Sequence, residues 1–260
     1  AETLRGALSL NIPNYNYTDR SLYLSAESSA VDLLKKSGYK STKIGFAGGT
    51  AFQQYENFYF SPRLSFYVED LHTDSTASTN LKKQDGQYFE SMFNYNLNYD
   101  LRNQTYQPSD GFKSVFSQTL PLISDTFAIT NGYTFSSYHE MAEEMIASFS
   151  IYTKFIRSLA DNKDVRISDR LQIPSNRLRG FEKGRVGPTD NGDFIGGNNN
   201  VSLNLSTNLP MMLPSAQNLD FKIFFDAANV WGVDYANDIN DSSKIRSAIG
   251  LGVDWFTPIG

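Results

Sequence analysis

The chain contains no cysteine and only two histidines in 260 residues. The first absence excludes a disulfide-stapled scaffold and any thiolate metal centre. The second leaves His72, expected in a loop, and His139, expected in a turn, with no acidic or hydroxyl partner at a spacing that builds a catalytic or metal-binding group. No run approaches the roughly 18 apolar residues of a helical membrane span. With 20% charged residues and a mean hydropathy of -0.39, the chain is also too polar for a helical bundle in lipid. An excess of positive charge is missing as well, since a net charge of -5 offers no basic surface for nucleic acid. Gly48-Gly49 and Gly196-Gly197 lack the Lys or following helix of a phosphate loop. Asp190, Asn191 and Asp193 lack the closing Glu of a calcium loop. Neither an enzyme nor a cofactor or metal is therefore expected. Neither Met nor a hydrophobic signal region stands at Ala1, so the chain reads as a mature or excised segment.

What is present is a period of two. In Phe60–Val68 the residues Phe60, Pro62, Leu64, Phe66 and Val68 share one face, and Ser61, Arg63, Ser65 and Tyr67 the other. Phe93–Arg102 repeats the pattern, with Phe93, Tyr95, Leu97, Tyr99 and Leu101 against Asn94, Asn96, Asn98, Asp100 and Arg102. Further strands are expected at Thr3–Ile12, Leu22–Ala26, Ile44–Phe52, Val201–Leu209, Leu219–Ala228 and Ile245–Trp255, and with less regular alternation at Phe112–Leu120, Phe127–Phe135 and Met145–Phe155, about eleven in all. A strand face made wholly of Asn, Asp and Arg carries a large desolvation cost in a dry sandwich core. It needs water or its own kind for company.

Two architectures alternate in this way, a soluble sandwich with apolar residues inward and an outer-membrane barrel with apolar residues outward. Strands of mostly nine or more residues, with Tyr59, Phe60, Tyr99, Tyr133, Trp231, Trp255 and Phe256 near their ends, favour the barrel. So do the connections: 54–57, 103–111, 138–144 and 210–218 are short, whereas 31–42, 71–86, 157–198 and 232–244 are mostly longer and polar. The tight 121–126 connection is an exception on the long side. The fold class is thus all-β, a transmembrane antiparallel β-barrel, with 1–260 as one domain and 157–198 as a long loop inserted in its lumen.

Within that loop, Ser175–Gly197 mixes Phe181 and Phe194 with Arg177, Arg179, Lys183, Arg185 and Asp190, material for packing rather than disorder. Arg179 sits in a tight Leu178-Arg179-Gly180-Phe181 turn. On pattern alone it is either a solvated cation or a guanidinium folded into a lumen that carries Asp100, Asp220, Asp226 and Asp254.

The segments LRGFEKGRVGP with IGGN, FFDAANVWGVDY and KIRSAIGLGVDWFTPIG resemble the C-terminal barrel of the BamA family, the outer-membrane protein assembly factors, and YDLRNQTYQPSDGF and IPNYNYTDRSLYL resemble that family's earlier strand ends and turns. The resemblance covers nearly the whole chain. It implies a bacterial outer-membrane barrel of about sixteen strands, preceded by periplasmic POTRA domains, of which this segment holds about eleven. About three strands would precede Ala1 and two follow Gly260, the terminal Trp255–Gly260 reading as a turn into another strand. The function implied is folding and insertion of β-barrel proteins. Its partners would be the lipid bilayer, unfolded outer-membrane clients and accessory assembly lipoproteins, with no cofactor. The related translocation subunit TamA, a two-partner secretion transporter and a passive porin are the alternatives. In the family the motif Arg is held in the lumen by acidic residues on the two strands after the loop. Asp226 matches one; the other, usually Glu, aligns with Asn204, so the charge cage has lost a member. Asp254 is a further candidate partner.

Overall fold

A computed structural model describes residues 3–143, 145–161, 163–209, 219–234, 239 and 244–255. The strands are β1 Thr3–Ile12, β2 Ser21–Leu33, β3 Tyr39–Tyr55, β4 Phe58–Thr73, β5 Gly86–Asp100, β6 Gly111–Ser124, β7 Ala128–Ala142, β8 Met145–Ser158, β9 Thr189–Asp190, β10 Asp193–Phe194, β11 Asn199–Asn208, β12 Leu219–Trp231 and β13 Arg246–Trp255. Eleven of them form one antiparallel meander, β1 to β8 and then β11 to β13. The β9–β10 hairpin lies within the long β8–β11 connection as a separate two-stranded sheet.

The two faces of the meander differ as the alternation demands. Phe60, Leu97 and Phe116 stand side by side in register on β4, β5 and β6, on the outward face. Edge-on and tilted ring contacts join Phe52, Phe60, Tyr95 and Phe116 at 5.7–6.2 Å. A second row joins Tyr99, Phe112, Phe135 and Phe149 at 5.7–6.4 Å. Such pairs stabilise neighbouring strands beyond their buried area. Towards the outer strands the face is bare, Leu8 being 81% and Leu251 79% exposed, which suits a surface whose solvent is hydrocarbon. The irregular alternation of β6 and β7 has a local explanation. Gln118 and Asn131 face outward but bond to each other, and the Tyr95 hydroxyl donates to Gln118 at 2.8 Å, so neither amide is left unmade in an apolar setting.

The inward face is polar. Asn94 bonds Ser65 and Thr119 across three strands at 2.9 and 2.8 Å, and Arg63 pairs with Glu27. These groups border a cavity of about 630 Å³ that Lys154, Asp169 and Gln172 also line.

Several expected boundaries need correction. The strands β2 to β5 run well past the alternating windows, and most of 31–42, expected as a loop, is strand, interrupted only by helix α1 at Leu34–Ser37. His72 lies in β4 and His139 in β7 rather than in connections. The cause is tertiary: the long loop packs on the inner face of these extensions, burying Tyr39, Ser41, Leu71, Glu69 and Glu90, and gives them a second layer that the local sequence does not announce. The 71–86 connection is 74–85 and carries helix α2, Thr79–Lys82. The expected short 210–218 connection, most of 232–244 and the expected turn at Phe256–Gly260 lie outside the described residues.

Among the described residues the sheet is open: β1 pairs with β2 alone and β13 with β12 alone. Unpaired ladder groups cost several kcal/mol each in lipid. These 260 residues on their own are therefore expected to run as unfolded chain on unheated electrophoresis. A compact, heat-sensitive band would mean that β1 and β13 find each other.

Candidate functional site: the loop inside the sheet

The dry core of the molecule is built by the loop of residues 159–198 and not by the sheet alone. Ile167 and Ile195 pack with Tyr39, Leu71, Ala77 and Leu81; Val165 and Leu171 with Ala128 and Ile156; Ile173 and Leu178 with Ala228 and Val230. Each fully buried aliphatic side chain is worth about 1.5–3 kcal/mol, enough in sum to hold so long a connection in place. Backbone bonds between Leu171 and Gly197, at 2.8 and 3.0 Å, close it into a folded unit.

The motif turn lies against β12. Leu178 is buried on Ala228 and Val230, which fixes the approach of the next residue. Gly180, at φ +81°, then turns the chain in a conformation that favours glycine. Arg179 between them donates from Nε to Asp226 Oδ2 and from Nη2 to Oδ1, each at 2.7 Å, and its backbone N–H donates to Oδ2 at 3.0 Å. This is a bidentate pair, the strongest geometry open to Arg and a carboxylate. The guanidinium also lies 3.4 Å from the centre of the Phe224 ring. Asp226 is fully buried, whereas the Arg179 side chain keeps 31% of its surface. Phe181 stays partly exposed on the loop.

Asn204 stands opposite Asp226 in the β11–β12 register. A carboxylate there would face another carboxylate; the amide instead donates to Asp226 Oδ1 at 2.7 Å and to the Arg177 carbonyl at 2.9 Å. Its oxygen accepts from Arg177 Nη1 at 3.3 Å, and the same nitrogen donates to Ser150 at 2.7 Å. The amide is thus a neutral bridge that ties a second loop arginine, Arg177, to the wall. Asp254 is not a partner of Arg179. It is held by Lys222 Nζ at 2.7 and 2.6 Å. The reason is register: Asp226 faces Ala248, while Asp254 faces Asp220, six residues further along β12, or about 20 Å at strand rise.

Phe224, under the Arg179 guanidinium, owes its seat to a glycine. It faces Gly250 on β13, where a Cβ would come within 2.7 Å of the ring. Gly250→Val is expected to lift the ring off the sheet, loosen the Arg179 stack and cost about 1–3 kcal/mol, read as faster proteolysis within 175–185. An unchanged cleavage rate would show that the ring does not support the arginine.

A second polar cluster, outside any recognisable motif, holds the other end of the loop. Arg166, only 2% exposed, reaches Glu90 Oε1 and Asp169 Oδ2 at 2.7 Å and Glu69 Oε2 at 3.5 Å, with its guanidinium 4.4 Å from the Tyr88 ring centre. Lys43 pairs with Asp169 at 3.0 Å and Glu69 at 3.3 Å. Ser41 and Thr126 donate to Glu69 and Glu90. Burial pushes the Asp169 carboxyl up, but Lys43 and Arg166 outweigh it and hold the group well below the usual carboxylate range. Its stabilising contribution is therefore fully present above the ordinary carboxylate pKa and is lost only as pH falls through the depressed value. The signal for Glu69 and Glu90 was available: each continues the polar parity of its strand, after Arg63, Ser65 and Tyr67 on β4 and before Met92 and Asn94 on β5.

Asp190 bonds Ser78 at 2.5 Å, which ties the β9–β10 hairpin to the start of α2. Among the described residues no group of three His, Cys, Asp or Glu side chains could hold a metal ion.

Residues 2–260 match the Omp85 superfamily domain. The chain belongs to the Omp85 superfamily. Within it, an 88-residue stretch, 33% of this chain, is 33% identical to the outer membrane protein assembly factor BamA of Neorickettsia risticii and covers 12% of that protein. The Omp85 sheet described here superposes on BamA from Haemophilus ducreyi lacking POTRA domains 1-3, with a TM-score of 0.85 at 22% identity over 99% of this chain and 57% of that one. CdiB from Acinetobacter baumannii is more distant, with a TM-score of 0.53 at 11% identity over 98% of this chain and 51% of that one. The chain thus spans little over half the length of these two structures. Both likenesses are of fold.

Proposed function

We propose that this chain forms most of the barrel of an outer-membrane protein assembly factor, which resides in the bacterial outer membrane and folds and inserts client β-barrel proteins. The observation that carries the reading is Arg179 seated bidentate on Asp226 inside an Omp85 sheet, alongside the likeness to BamA in both sequence and fold. A loop folded into the lumen and pinned to β12 obstructs the passage that a passive porin would keep open. The work required of an insertase is to offer unfolded clients a strand edge in lipid, where main-chain hydrogen bonds drive pairing by β-augmentation. No covalent step and no cofactor enter. The bilayer and unfolded outer-membrane proteins are its partners, with accessory assembly lipoproteins as the further partners of such a machine.

A related Omp85 transporter, such as a two-partner secretion protein or the translocation subunit TamA, is the second reading, since the superfamily match does not separate its members. One experiment separates these. The complete protein, reconstituted in liposomes, should accelerate folding of an added urea-unfolded client barrel over empty liposomes. Steady single-channel conductance without such acceleration would favour a porin, and passage of a soluble client into the liposome lumen would favour a transporter.

A further inference from the structure

We infer that the lumenal loop is a brace between two separated walls of the sheet, with Arg166 as a second anchor, more deeply buried than the motif arginine. The walls are β3–β5 and β11–β12. Between them in the meander stand β6, β7 and β8, so the loop joins parts of the sheet that the hydrogen-bond ladder connects only at a distance. One end is Arg166 among Glu69, Glu90 and Asp169; the other is Arg179 on Asp226. Between the two arginines the chain is fastened to the β11–β12 wall: Asn200 of β11 donates to the Gln172 carbonyl at 2.8 Å, and Ile173 and Leu178 pack on β12.

The ends are not alike. Arg166, Glu69 and Glu90 are shut away from solvent, whereas Arg179 keeps about a third of its surface. Three carboxylates, Glu69, Glu90 and Asp169, meet two cations, Lys43 and Arg166. Withdrawing Arg166 would leave buried Glu90 with no cation and Glu69 with Lys43 alone, a far costlier event than exposing the Arg179 end to water. If insertion moves β12 relative to β3–β5, the Arg179 end and the bonds from Asp234, just past β12, to Val165 and Arg170 yield, and the loop stays with β3–β5. The consequence rests on the insertion reading; the brace itself does not.

The absence of cysteine in these 260 residues makes the test direct. Spin labels are placed by Ser175→Cys between the anchors, by Lys40→Cys on β3 and by Ile223→Cys on the outer face of β12, in pairs, in the complete protein in liposomes without client. Both distances from Ser175→Cys should be narrow in the parent. Asp226→Ala should broaden the distance to β12 and leave that to β3 narrow. Arg166→Met should broaden the distance to β3, and the isosteric Glu90→Gln should do so to a lesser degree where the Met variant folds poorly. A β3 distance that stays narrow in both Arg166→Met and Glu90→Gln overturns the brace, as does equal broadening of both distances by Asp226→Ala. Because no client is present, insertion by the same variants can be measured separately: intact insertion beside the expected distances would leave the brace standing and count against the insertion reading's need for loop release.

Discussion

Replacing Leu97 by Arg is expected to destabilise the folded protein in a bilayer by about 2–4 kcal/mol, whereas Arg at Asn96 is expected to be tolerated. Leu97 stands on the outward face between Phe60 of β4 and Phe116 of β6. A guanidinium there would meet rings and hydrocarbon; the carboxylate of the same parity on β4, Asp70, stands ten residues from Phe60, about 33 Å along the strand. Asn96, one residue away, is exposed and lines the polar cavity, where Arg finds water and the company of Glu27. The measurement is denaturant unfolding of the complete protein in liposomes, with the two variants compared side by side. Equal losses at the two positions would mean that the sheet's outward face is not in contact with lipid.

Asp226→Ala is the second large effect, expected at about 2–3 kcal/mol. Three hydrogen bonds from Arg179 and one from Asn204 end on this one fully buried carboxylate. Charge-assisted bonds are each worth about 1.5–3 kcal/mol, and a guanidinium left without its partner carries a desolvation cost as well. The figure is held down because Arg179 is partly hydrated where it stands and can turn to water. Asn204→Ala removes a donor to Asp226 and a contact to Arg177 but leaves the ion pair, so roughly 1 kcal/mol is expected. Unfolding in liposomes gives the ordering, and proteolysis between 175 and 185 localises it. If Asn204→Ala equals or exceeds Asp226→Ala, then the loop is held chiefly through Arg177 and not through the motif arginine.

Much of the architecture could be read from particular stretches. The five-fold alternation in Phe93–Arg102 marks a strand with one face in water and the other in an apolar medium, and β5 ends within two residues of that window. Eleven sheet strands follow from counting such windows between turn clusters. The weak windows were weak for a reason now visible. Gln118 and Asn131 break the pattern of β6 and β7 because they satisfy one another across the sheet, a pairing that no single strand's periodicity can contain.

The loop divides differently. That Arg179 had a carboxylate within reach was legible from the motif and from the parity of Asp226. That Asn204 would bring Arg177 to the wall, that Asp254 would be engaged by Lys222, and that Arg166 would anchor the opposite end were not. What the sequence by itself determined is the period of two, and with it the faces, the strand count and the medium on each side, because side-chain alternation is a local property of an extended backbone. What only the tertiary structure decided is which of the many lumenal charges meet. That depends on strand register, where a shift of six residues moves Asp254 about 20 Å from Asp226, and on where a long connection lands once its aliphatic residues have found the sheet.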